Sequence, residues 1–346
     1  MRTIGISHKT RYWQHYCFSN PPVGHRYVRV PDFPWHLLRS RSEFLLHSKL
    51  FAPLPKVDIY HTYNSVVANN RPWVVEVEST LPRYGHMDPE HRLYRWALNR
   101  LASAHCKGLV FTSFVARDMN IDRLRSAGVE EAKMNVIYRA VEQYLPLPGK
   151  GRDFTILFAG NAFYRKGGVE LLKAFQRSGR TDVRLVIIST LEVDWGVRPS
   201  ADVIMETERV ISEHPRITRF TALPHHELID QMRKADLFVS TTFRDPFNNT
   251  VLEAMGTGLP VICSNVGALP EVARNGVNGW VLPVASRSSD DIAEEIAIYI
   301  QRSMDDPLLL AKMAAASTSI INERFTLDVR NAALTRFYDA ALASDR

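Results

Sequence analysis

Cysteine is scarce in this chain: Cys17, Cys106 and Cys263 are the only three in 346 residues, widely spaced and without a Cys-x-x-Cys pair. An odd, scattered set argues against a disulfide framework and against a cysteine zinc site, and reads as buried or incidental thiols. No apolar run approaches the roughly 20 residues that cross a bilayer as a helix. The N-terminus also lacks the basic-then-apolar pattern of an export signal, so a cytoplasmic protein is expected. There is no internal repeat or low-complexity stretch, which argues against a solenoid. Zinc-finger spacing and an aromatic-basic stripe are missing too, which argues against nucleic acid as a partner.

What is present is material for a large core. With 45% apolar and 23% charged residues over 346 positions, the composition is that of a globular protein, and the length exceeds what one core usually supports. Charge is unevenly shared. Residues 1–150 hold 21 Lys and Arg against 12 Asp and Glu, and the remainder 22 against 25. A basic first half suits an anionic membrane face or a phosphorylated glycolipid, although no tight Lys/Arg cluster marks one and scattered solvated arginines are the plainer alternative.

The first half alternates strands (RTIGIS, KVDIYHT, WVVEVES, GLVFTS, KMNVIY) with a helix over HRLYRWALNRLASA, in which Leu93, Trp96, Ala97 and Leu101 share a face. That is a parallel α/β pattern. Residues 10 to 55, rich in aromatics and proline, resist assignment. YLPLPGKGRD at 144 to 153 reads as a Pro/Gly linker. It predicts domains at 1–147 and 148–325, followed by a C-terminal amphipathic helix within 326–346 that packs back across the interdomain region. In the second half, strands are expected at FTILFAG, RLVIIS, TRFTAL, DLFVST and LPVICS. A packing helix over SDDIAEEIAIYIQRS is expected to be capped by Ser289 or Asp290.

Two segments carry chemistry. In DPFNNTVLEAMGTGLPVICSNVGALPE, residues 245–271, a short helix opens near Asn249 or Thr250 and is followed by an apolar strand. The amides at such a helix start favour a phosphate. Asp245, just before the turn, and Glu253, one turn inside, would repel phosphate and are better suited to accept hydrogen bonds from sugar and ribose hydroxyls. The competing reading is a capping box, Thr250-x-x-Glu253, in which the glutamate only bonds its own helix start. About eighty residues upstream, FTILFAGNAFYRKGGVELLKAF runs strand, polar loop, helix, and sets Arg165 and Lys166 where an open α/β sheet places its ligand crevice. Cations there could neutralise a diphosphate.

Together these segments resemble the group-1 glycosyltransferases, the retaining family four of bacterial polysaccharide and lipopolysaccharide type, over roughly residues 154 to 285. Gly160, Lys166 and Gly167 match the family's glycine, short loop and Lys-Gly; Asp245 and Glu253 match its Glu-x7-Glu pair, with Asp in the first place. The resemblance implies an α/β GT-B fold, two Rossmann-like domains facing each other across a cleft. It implies transfer from a UDP- or GDP-sugar to a glycan or lipid-linked acceptor, with retention and with no cofactor or metal. Asp245 would meet donor-sugar hydroxyls and Glu253 the ribose. Gly160, Asn161, Asn248, Asn249 and Thr250 would border the donor, and Arg165 and Lys166 the diphosphate. Asn161 stands where the family usually has arginine, with Arg165 the stand-in, and Pro246-Phe247-Asn248 replaces Gly-Phe-Gly. The glycine-rich loop that many relatives carry after the first strand is missing. These departures keep a catalytically silent nucleotide-binding relative as the alternative. On the acceptor side the candidates are His61 and Glu78; Ser113 reads as a helix cap.

Overall fold

The computed structural model describes residues 1–7, 16–33, 42–145, 153–194 and 196–343. These form two compact units, one of Met1–Ala140 with Arg324–Arg346, the other of Val141–Glu323. The expected boundary between 147 and 148, and most of the Pro/Gly linker, lie outside the described residues.

The first unit holds strands β1 (Arg2–Ser7), β2 (His25–Val30), β3 (Ser48–Lys49), β4 (Ile59–Tyr63), β5 (Val66–Val67), β6 (Trp73–Val77), β7 (Cys106–Phe111) and β8 (Met134–Val136). Its helices are α1 (Tyr16–Ser19), α2 (Glu43–Leu46), α3 (Arg92–Ala102), α4 (Phe114–Asp118) and α5 (Ile121–Ser126). Six strands make one sheet in the order β2-β1-β4-β6-β7-β8, all pairings parallel. Every residue of β4 and β6 is buried, because helices cover both faces of a parallel sheet and its inner strands become continuous apolar runs. β2, inside the stretch that resisted assignment, is an edge strand whose HRYVRV has only its first and last residues buried. Such a strand gives no apolar signal.

The second unit follows as β9 (Phe154–Ala159), α6 (Gly168–Ser178), β10 (Val183–Ile188), α7 (Ala201–Glu213), β11 (Ile217–Phe220), α8 (His225–Lys234), β12 (Leu237–Ser240), α9 (Asn249–Gly256), β13 (Val261–Ser264), α10 (Leu269–Val272), β14 (Gly279–Leu282), α11 (Ser289–Asp305) and α12 (Pro307–Arg324). The sheet order β11-β10-β9-β12-β13-β14 is again all parallel. The chain runs outward from β9 on one side through β10 and on the other through β12. The β9/β12 border is therefore the point where strand order reverses, and the crevice at the carboxyl ends there is where such sheets take ligands. The α11 cap is Ser288, one residue earlier than expected, in a capping box with Asp291.

Helix α13 (Leu327–Ala343) closes the chain within the first unit. Leu334, Phe337, Tyr338 and Ala341 pack on Ile4, Ile59, Val74 and Val110 of that sheet. No helix among the described residues is long and apolar enough to cross a membrane.

Candidate functional site

The loops leaving β9 and β12 start side by side, since Ile156 and Leu157 pair with Leu237 and Phe238. The β9 loop is less polar than its sequence suggests. Ala162, Phe163 and Tyr164 turn into the core, and the turn closes through Lys166 N to Ala162 O (2.9 Å) and Gly168 N to Phe163 O (2.9 Å). With its middle buried, the loop leaves Arg165 and Lys166 at the crevice.

Gly167, at φ +80°, occupies the left-handed region that costs a side chain dearly, and a Cβ there would lie 2.1 Å from Thr241 Oγ1 on the β12 loop. Phe243 N donates to Arg165 O at 2.8 Å. A third loop, after β13, supplies Gly267 at φ +57°, where a Cβ would stand 2.0 Å from Asp245 O. The backbones of three loops thus nest around Asp245.

Inside this nest, Asp245 Oδ2 lies 3.6 Å from both Lys166 Nζ and Arg165 Nη1. Lys166 Nζ also donates to Asn248 Oδ1 at 3.3 Å, and Asn248 Nδ2 to Ser240 Oγ at 3.0 Å. The Lys166 stem runs across Gly160, where a Cβ would be 2.7 Å from Cδ. All three charged side chains are only 11–13% exposed. Burial lowers the Lys166 ammonium below the usual lysine range and Asp245 pulls it back; Arg165 lowers it further while Glu253 raises it. Lys166 therefore senses both acids of the motif, Asp245 and Glu253.

Asn248 is the residue before α9, and its side chain makes no capping bond. Thr250 is already helical, so the capping box does not form. Glu253 turns away from its own helix start and its Oε1 sits 3.3 Å from His225 Nε2. That hydrogen bond is the largest influence on His225, whose pKa is raised above 6.5 in spite of partial burial. Asn249 and Thr250, partly buried, form the first turn of α9. Asn161 is exposed, and its carbonyl accepts from Phe163 N (2.8 Å) and Glu192 N (3.0 Å). Sequence reasoning missed Asp194, on the segment after β10, and His225, the first residue of α8; the pairing of β10 with β9 brings in the one, and α8 carries the other to Glu253.

The acceptor-side candidates separate. His61 lies mid-strand, 1% exposed, with Nδ1 2.6 Å from Tyr338 OH and Phe18 edge-on at 5.5 Å. Burial pushes its pKa down to about 4, against an upward pull from Glu76. It is a neutral core histidine. Glu78, at the carboxyl end of β6, is 16% exposed, with Oε1 3.3 Å from Arg139 Nη2 and Oε2 4.0 Å from Arg83 Nη1. Beneath it, Glu76 is fully buried and Arg330 Nη2 bonds it at 2.6 Å. Burial raises Glu76, but Arg330, His61 and Arg139 outweigh it and the net shift is downward. The sequence signal for Arg330 is an arginine on the apolar stripe it shares with Leu334, Phe337 and Ala341. Ser113 caps α4, accepting from Ala116 N.

A pair of parallel-sheet Rossmann-like units, one with cations, carboxylates and a helix start gathered at its strand-order reversal, is the architecture of the GT-B fold. Residues 153–302 match the family described as Glycosyl transferases group 1. Glycogen synthase of Mycobacterium tuberculosis is 28% identical over 195 residues, 55% of this chain and 44% of that protein. D-inositol 3-phosphate glycosyltransferase of Pseudarthrobacter chlorophenolicus is 27% identical over 271 residues, 75% of this chain and 60% of that one. The chain spans about half the length of these curated relatives. Among solved structures, Anabaena HepE in complex with UDP and glucose superposes with a TM-score of 0.61 at 18% identity, over 82% of this chain and 78% of that one. Sucrose-phosphate synthase from Thermosynechococcus elongatus gives 0.63 at 18%, over 83% and 74%. The chain has the GT-B fold of these structures and, over residues 153–302, is similar to the group-1 glycosyltransferases.

Proposed function

We propose that this protein moves a sugar from a UDP- or GDP-sugar to a glycan or glycolipid acceptor, with retention at the transferred carbon and without a metal. The observation that carries this reading is the meeting of Lys166, Arg165, Asp245 and Asn248 at the β9/β12 border, with Glu253 one turn beyond. The UDP held by the HepE structure supports a nucleotide sugar as donor.

Departure of a nucleoside diphosphate builds negative charge on its phosphates. Lys166, Arg165 and the positive end of α9 are fixed, partly desolvated groups, and such groups stabilise developing charge without reorganising at the moment of reaction. The ion pairs to Asp245 are long, at 3.6 Å, beyond the range of good hydrogen bonds. Phosphate oxygens can take over the cations, releasing Asp245 to a sugar hydroxyl. Glu253, held by His225, is oriented to accept from ribose hydroxyls. Same-face attack, with the departing phosphate taking the acceptor's proton, requires no carboxylate nucleophile. The acceptor belongs to the basic first unit, where Glu78 and Arg139 are the groups at the strand ends. Work at the cytoplasmic face, with peripheral contact on anionic lipid, fits that charge.

Thermal shifts over a panel of UDP- and GDP-sugars, followed by turnover of the donor that shifts most, test the reading. At about 100 times its dissociation constant a ligand adds roughly 2.7 kcal/mol of stability. Lys166→Ala should lower kcat by about 10²–10³-fold, the usual loss for one preorganised group at a developing charge. A folded Lys166→Ala protein with undiminished turnover would refute the assignment. Donor binding with no transfer or hydrolysis by the native chain would leave the catalytically silent alternative.

A further inference from the structure

We propose that Asp194 is a positioning residue for Arg165, a brace that lets an arginine from the far end of the β9 loop serve the diphosphate site. The inference rests on the donor reading above and deepens it. The position directly after Gly160 holds Asn161, so any guanidinium at this site must come from elsewhere. Arg165 lies five residues along the loop, on a long side chain with several rotatable bonds. Left to itself it would lose much of its effect in conformational entropy.

The structure shows how the freedom is removed. Asp194 stands on the segment after β10, which borders β9 on the side away from β12. Arg165 Nε donates to Asp194 Oδ2 at 2.5 Å, with both side chains only 12–13% exposed. Asp194 is itself fixed, because Gly196 N donates to its Oδ1 at 3.1 Å. The arginine stem rests on Gly196: a Cβ there would be 2.1 Å from Arg165 Cδ and 3.3 Å from Nε. On the opposite side Nη1 donates to Arg244 O and faces Asp245 Oδ2 at 3.6 Å. Loops from β10 and β12 thus grip the guanidinium from two sides and set its Nη1 edge toward the donor carboxylate. The two acids differ in distance, and the difference assigns their roles. Asp194 is within tight hydrogen-bond range and stays with the arginine, whereas Asp245 is beyond it and is exchanged for substrate.

The test is a double-mutant cycle of Arg165→Ala and Asp194→Ala, read by calorimetric binding of UDP and of GDP and by steady-state turnover of the best donor. Asp194→Asn and Gly196→Ala are companions should Asp194→Ala fold poorly. The bare diphosphate carries the full charge of the leaving group. Asp194→Ala should therefore weaken the preferred nucleotide about tenfold and lower kcat at least tenfold, with less than a threefold change in donor KM. In the Arg165→Ala background the same change should cost under threefold, since the brace has nothing left to hold. Gly196→Ala, which displaces the stem without touching a charge, should reproduce the kcat loss with Tm unchanged. Arg165→Ala damaging while Asp194→Ala is within twofold of native, or additive losses in the cycle, would overturn the brace and leave the donor reading standing. No loss from either Arg165→Ala or Lys166→Ala would remove the donor reading itself.

Discussion

At the scale of single residues, burial decides what each charged group can do. Lys166 and His61 are both pushed toward neutrality by desolvation, with opposite consequences. Lys166 keeps carboxylates around it and remains at the mouth of a crevice. His61 is sealed against Tyr338 and Phe18 in the core of the first unit. His225 goes the other way. Its bond to Glu253 raises its pKa above 6.5, so it carries more positive charge at neutral pH than a free histidine. The stability this contributes is fully present below the unfolded value and is lost as pH rises through the folded one. An NMR titration should find the His225 imidazole midpoint above 6.5, returning toward 6.5 in Glu253→Gln. An identical midpoint in both proteins would show that the pair is not formed in solution.

At the scale of elements, the site is a consequence of which loops are neighbours. β9, β12 and β13 each release a loop at the carboxyl edge, and their backbones touch at Gly167 and Gly267. Ridges of side chains could not pack this closely, so glycine is required where one loop's Cα faces another loop's carbonyl. Gly267→Ala would put a Cβ 2.0 Å from Asp245 O at a φ of +57°. The expected result is a protein with lowered Tm and with donor affinity reduced beyond what the stability loss explains, because the carbonyl that must move belongs to Asp245. Differential scanning fluorimetry with and without the best nucleotide sugar reads both. Equal thermal shifts in the variant and native proteins would show that the nest does not set the acid's position.

At the scale of the whole molecule, the C-terminal helix determines how the first unit is held. Arg330 of α13 enters the core of that unit, pairs with Glu76 at 2.6 Å and donates to Tyr138 O at 2.9 Å. Removing one partner of such a pair leaves an uncompensated buried charge, and breaking buried pairs in this way costs about 3–5 kcal/mol. The same cluster makes stability depend on pH. The unfolded chain protonates His61 near pH 6.5, whereas the folded one resists until about 4. The contribution of His61 to stability therefore falls as pH drops through that window. Glu76, whose folded pKa is depressed, adds a further loss as pH falls through the carboxylate range. Urea unfolding at pH 7, 5.5 and 4.5 should show a decreasing free energy, with a shallower slope in His61→Asn. A slope unchanged by that substitution would place the acid sensitivity elsewhere.

How much was legible in the sequence follows from how far each signal reaches along the chain. Buried parallel strands such as WVVEV and VICS are continuous apolar runs, and the phosphate-favouring helix start lies next to its own strand, so local pattern reveals both. Gly160, Lys166, Asp245 and Glu253 each sit beside such a landmark. The edge strand β2, half polar, offers no such run, and neither does the β9 loop, whose Ala162, Phe163 and Tyr164 look like turn residues until the core receives them. Asp194 and His225 carry no local mark at all. They join the site only because β10 lies beside β9 and because α8 brings His225 to Glu253, and the same holds for Arg330 and Glu76, 254 residues apart. The amino-acid order alone determined the kinds of element and the chemistry of the two key loops, since those depend on neighbours in the chain. The absence of the capping box, the burial of His61 and the contact of Arg165 with Asp194 were decided only by tertiary structure, because each depends on what another strand or helix places within a few ångströms.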